Sequence, residues 1–70
     1  MNPIAVVCAS DNTFKRFRKM FLNDTDLNFL QVSKVDNTRG VTFSGYIILS
    51  DVTALKDFDK VMYNVKARIK

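Results

Sequence analysis

IAVVCA at residues 4–9 is apolar without a break and rich in β-branched side chains, with Pro3 before it and SDNT after it. A run this short, closed by turn-forming residues, predicts a strand buried on both faces. The period then changes. Phe14, Phe17 and Phe21 recur at i, i+3 and i+7 through TFKRFRKMFL, which predicts a helix carrying three rings on one stripe. Ser10 or Asp11 is placed to cap its start and NDTD at 23–26 to end it. In LNFLQVS, residues 27–33, Leu27, Phe29 and Gln31 fall on one side and Leu30 and Val32 on the other, a strand pattern. The polar stretch KVDNTRG follows. Residues 41–49 are apolar again with YIIL at their core, and Gly45 marks a bulge or a strand start. Leu55, Phe58, Met62, Val65 and Ile69 then repeat at alternating spacings of three and four. They predict a helix over 52–68, capped by Ser50 or Asp51. Asp57 and Asp59 lie early in it and Lys66, Arg68 and Lys70 late, as the helix macrodipole favours.

The order is β-α-β-β-α in one small α/β domain spanning 1–70. The connection between the second and third strands decides its topology. A hairpin around VDNTRG would make an α+β fold with those two strands antiparallel. A crossover would make a three-stranded parallel sheet of order 2-1-3, and the stretch between Ser33 and Gly45 is just long enough for one. Two continuously apolar strands, each followed by Ser-Asp and a helix, favour the parallel sheet with IAVVCA at its centre. Such a sheet needs cover on both faces and leaves two edges open. A homodimer is therefore expected.

Composition narrows the chemistry. The 70 residues include no histidine, tryptophan or glutamate and a single cysteine, Cys8. The commonest general base and metal ligand are thus missing. One cysteine forms no internal disulfide and cannot complete a four-ligand zinc site. Set inside IAVVCA, Cys8 reads as a small buried apolar residue. No enzyme activity, metal or cofactor is expected. No apolar run approaches the ~20 residues of a membrane helix, and no basic stretch precedes IAVVCA as in a secretory signal. A cytoplasmic protein is the expectation. The net charge of +4 fits contact with nucleic acid or an acidic surface, and equally fits ordinary solubility.

Three stretches are candidate binding sites. In the turn CASDNT, Ser10, Asn12 and Thr13 are placed to donate to a phosphate at a helix N-terminus. That turn has no glycine for close backbone approach, and Asp11 would repel an anion, so a capped helix is the plainer reading. Arg39 in DNTRG offers a planar fork for phosphate or carboxylate. Alternatively it pairs with Asp36 or Asp51 to fix the crossover, with Gly40 supplying a positive φ. Lys15, Arg16, Arg18 and Lys19, interleaved with Phe14 and Phe17, form a basic helix of the kind that contacts phosphates. With the rings on one face, these charges also read as a solvated surface. Asp57 and Asp59, two apart, do not share a helix face.

The succession of a strand, Ser10-Asp11 and a Phe-bearing helix, a short strand, then Asn37-Thr38-Arg39-Gly40 leading through Phe43 to Tyr46–Leu49 resembles short bacteriophage proteins with a single Rossmann-like unit. The resemblance spans about two-thirds of the chain. It implies an accessory factor of a phage or mobile element acting in the host cytoplasm. It supplies no catalytic residue, and without a Walker lysine it does not imply ATP hydrolysis. The expected function is a non-enzymatic interaction protein that binds and modulates a host or phage protein. The alternative is a nucleic-acid or nucleotide/phosphate-binding module using the basic helix and Arg39.

Overall fold

The computed structural model describes residues 2–20 and 28–70. Strands β1 (Ile4–Val7), β2 (Phe29–Val32) and β3 (Gly45–Ile48) form one sheet of order β2-β1-β3. Both pairings are parallel, placing Ile4 beside Phe29 and Gly45, and Val7 beside Val32 and Ile48. This is the crossover arrangement; the antiparallel hairpin does not form. Helix α1 (Asp11–Lys19) links β1 to β2, and helix α2 (Phe58–Ala67) follows β3.

Ala5, Val6, Val7 and Cys8 have no solvent exposure. Each buried valine contributes about 1.5–3 kcal/mol relative to leaving it in water. Side chains alternate across a strand, so β1 supplies two cores. Ala5 and Val7 join Val32, Phe43, Val61, Met62 and Val65 in the main core, with Leu30, Val35, Leu55 and Phe58 packed against it. On the opposite face, Phe17 of α1 meets Phe29 edge-to-face, ring centroids 5.0 Å apart. Among the described residues, α1 supplies the cover there. No residue of α1 is fully buried, and Phe14 and Phe17 are only half-buried, so the expected stripe lies on the sheet rather than inside it. Phe21, the 23–26 helix stop and Leu27 lie outside the described residues.

The crossover is short but ordered. A 3-10 helix, Val35–Thr38, packs beside α2. Oδ1 of Asn37 accepts from the Ser33 and Lys34 amides, both at 3.0 Å. Thr38 is buried, and its hydroxyl donates to the Val35 carbonyl at 2.7 Å. Gly40 then turns the chain with φ of 70°. Phe43 bridges to Ile69: its amide donates to the Arg68 carbonyl at 2.8 Å, and its carbonyl accepts from the Lys70 amide at 3.0 Å. The C-terminus is thereby laced to the segment ahead of β3.

The third strand begins at Gly45, the strand start that the sequence offered, and ends at Ile48, so residues 41–44 precede it. One expected element differs, the last helix. It does not run from 52 and is not capped by Ser50 or Asp51. Ser50–Ala54 form a 3-10 helix, the chain is extended at Leu55, and α2 begins only at Phe58. The Asp51 carboxylate is turned to the β1–α1 turn instead, and β-branched Val52 and Thr53 weaken helix propensity there.

At Gly40 an added Cβ would meet nothing within 4 Å, so the cost of a side chain there is conformational alone. Gly40→Ala is expected to lower the unfolding free energy by about 1–2 kcal/mol, measured by urea denaturation, without altering the fold.

Candidate functional site

In parallel sheets of this kind, ligands bind beyond the carboxyl ends of the strands where the strand order reverses. Here that point lies between β1 and β3, and a side chain of the protein itself sits there. Asp51 Oδ1 accepts from the Ala9 amide at 3.0 Å, and Oδ2 accepts from the Ser10 amide at 3.1 Å and the Ser10 hydroxyl at 3.4 Å. Ser10 caps α1, its Oγ accepting from the Thr13 amide at 3.3 Å and lying 2.9 Å from the Thr13 hydroxyl. Ser10 and Thr13 are thus engaged with Asp51 and with each other, while Asn12 is exposed at the start of α1. Desolvation opposes ionisation of Asp51, but the donors from Ala9, Thr13 and Ser10 outweigh it and hold its carboxyl below the usual carboxylate range. The neighbouring Cys8 is shaped by the same environment. Burial, with the charges of Asp51 and Asp11 adding to it, pushes its thiol up to about 11. A thiol of that kind is a packing residue, not a nucleophile.

The basic helix builds a different feature. Lys15, Arg18 and Lys19 share a helix face and line an open groove of about 580 Å³ together with Asp11, Phe14 and Gln31. Phe14 gives the groove an apolar wall. Nε2 of Gln31 donates to Asp11 Oδ1 at 2.7 Å, tying the acidic end of α1 to β2. Arg16, one position round the helix from Lys15, does not line the groove. Arg39 is also remote from it, and its Nε lies 3.4 Å from Asp36 Oδ1 with both side chains mostly exposed. A pair so exposed adds little to stability. Of the two pairings expected for Arg39, Asp36 is the partner found.

The part of this groove that the sequence did not tie to binding is Gln31. Gln31 carried the one usable signal, a polar residue on the strand face that otherwise holds Phe29. A second groove, of about 420 Å³, runs between β3 and α2, lined by Ile48, Phe58, Asp59, Met62, Tyr63 and Lys66. Its composition was hidden because its residues come from separate elements. Among the described residues, no three His, Cys, Asp or Glu side chains cluster as a metal site requires, and no helix is long and apolar enough to cross a membrane.

No protein-family profile, curated protein or solved structure matches this chain.

Two outcomes test this local chemistry. With its folded-state pKa below the unfolded one, Asp51 contributes stability fully above the unfolded value of about 4, and that contribution drains away as pH falls through the folded value. Asp51→Asn should therefore lower stability at neutral pH by about 1–2 kcal/mol and shrink the stability lost on acidification, as read by urea titrations at stepped pH. Cys8 should resist alkylation by iodoacetamide at pH 8 in the native protein and react at the ordinary thiol rate in denaturant.

Proposed function

We propose that the chain is a non-enzymatic binding module that holds single-stranded nucleic acid along α1. The observation that supports it most is the convergence of Lys15, Arg18 and Lys19 around the half-buried ring of Phe14. Cations that track a phosphate backbone beside an aromatic face are what sequence-tolerant single-strand binding requires. Asp11, the acidic member of the groove, is held by Gln31, which turns part of its hydrogen-bonding capacity away from an incoming phosphate. Arg16 adds to the positive field from an adjacent direction without touching the groove. The absence of histidine and glutamate speaks for binding rather than catalysis. An accessory role in a phage or mobile element suits such a module.

A second reading, modulation of a host or phage protein, draws on a separate observation. Tyr46, Ile48 and Tyr63 are exposed beside the β3–α2 groove, and clustered apolar exposure marks protein contact surfaces.

The experiment is fluorescence anisotropy with a labelled single-stranded oligonucleotide at roughly 50 and 200 mM salt. Three phosphate contacts predict an affinity that falls about 20-fold over that range. The Lys15→Gln/Arg18→Gln/Lys19→Gln variant should remove most of the salt dependence, and Phe14→Leu should weaken binding by about 1–3 kcal/mol through lost stacking. No binding at the lower salt would overturn the reading.

A further inference from the structure

The β3 edge of the sheet is unguarded. Natural edge strands are protected by charges, prolines or bulges that stop another strand from adding to them. Gly-Tyr-Ile-Ile of β3 has none of these, and Tyr46 and Ile48 are 40% and 45% exposed. Both residues stand on the α2 side of the sheet, in register with Ala5 and Val7 of the main core. Helix α2 flanks them. Asp59, Met62, Tyr63 and Lys66 follow the i, i+3, i+4, i+7 spacing of one helix stripe, and all four line the groove beside Ile48.

This stripe is self-complementary. It has an acid at its N-terminal end, a base at its C-terminal end and apolar side chains between. A two-fold axis through its middle sets Asp59 against Lys66 of the partner subunit, twice, with the exposed Tyr63 rings of the two copies meeting between them. The strand has the same property. A two-fold through Ile47 pairs β3 antiparallel with its copy and sets Tyr46 opposite Ile48 of the partner subunit, a favourable aromatic–β-branched cross-strand pair. The two centres lie level with each other. Ile48 shares the groove with Phe58 at the start of α2, while Nζ of Lys66 lies 6.0 Å from the ring centroid of Tyr46. One axis perpendicular to the sheet therefore satisfies strand and helix together, as an isologous interface requires. Among the described residues, neither Asp59 nor Lys66 has an ion-pair partner within its own chain.

We infer that the β3 edge and the adjoining face of α2 that carries Asp59, Tyr63 and Lys66 are the interface of a symmetric homodimer, in which two copies of this chain form one continuous six-stranded sheet with their α2 helices antiparallel on the same face. The second copy covers the apolar strip and closes the open edge. The basic grooves along α1 lie on the opposite face of the sheet and stay accessible, so the dimer presents two of them.

Sedimentation equilibrium of the full chain from micromolar to sub-millimolar concentration tests this, with circular dichroism confirming that each variant is folded. The parent chain should be dimeric. Ile48→Lys, which places a guarding charge on the edge, should be monomeric. Asp59→Lys and Lys66→Asp should each weaken the dimer at least about tenfold, because both symmetric contacts become like-charged. The double variant Asp59→Lys/Lys66→Asp should restore it, and an equimolar mixture of the two single variants should form the heterodimer in preference to either homodimer. Only contacts between copies produce that restoration and preference. A parent chain that stays monomeric throughout the range overturns the inference and leaves the edge to a strand of a different protein. A dimer indifferent to the charge reversals overturns this interface.

Discussion

Burying β1 on both sides is the constraint from which the rest of the molecule follows. Ala5 through Cys8 have no contact with solvent, so this strand must be central and both faces of the sheet must be covered. In a chain of 70 residues, that demand consumes nearly all the secondary structure there is. Helix α2, the 3-10 helix Val35–Thr38 and Phe43 cover one face; among the described residues, α1 covers the other through Phe17 on Phe29. Parallel pairing then obliges each return of the chain to cross the sheet. The crossover from β2 to β3 is brief, and its hydrogen bonds are local ones made by Asn37 and Thr38.

Asp51 ties the two halves of this arrangement together. Its carboxylate joins the end of β3 to the end of β1 and the cap of α1 across some forty positions of sequence. In a nucleotide-binding fold of similar topology, exogenous phosphate would meet amides at this place. Here an internal anion meets them, and the thiol of Cys8 beneath it is raised in pKa by burial and by that same charge. Any polyanion this protein holds is better matched to the flank of α1 than to the strand ends.

The two faces of the sheet differ in surface chemistry. The α1 face carries cations around an aromatic wall, while the β3–α2 face carries apolar side chains bracketed by one acid and one base. These surfaces lie on opposite sides of the sheet. The two grooves share no lining residue.

How much of this was legible in the chain depends on the range of the interaction. Continuous apolarity in IAVVCA pointed to a central strand and favoured the parallel order β2-β1-β3, because a strand buried on both faces cannot tolerate polar alternation, whereas the equally apolar YIIL belongs to an edge strand with Tyr46 and Ile48 exposed. The repeat from Leu55 to Ile69 marked Met62 and Val65 for the core and Leu55, Phe58 and Ile69 for its margin but missed the buried Val61, and the positive φ of Gly40 followed from its place in DNTRG. The basic residues of α1 were visible as a run; which three of the four share a groove with Phe14 and Gln31 was decided by where α1 rests on the sheet. Ser50-Asp51 had the form of a helix cap, since capping preferences describe local hydrogen bonds. Tertiary structure overrode it by presenting Asp51 with two amides from β1's end, some forty residues away. The groove between β3 and α2 and the Phe43–Ile69 bridge join residues far apart in sequence. Local propensity does not encode such contacts; they exist only once the sheet has brought those segments together.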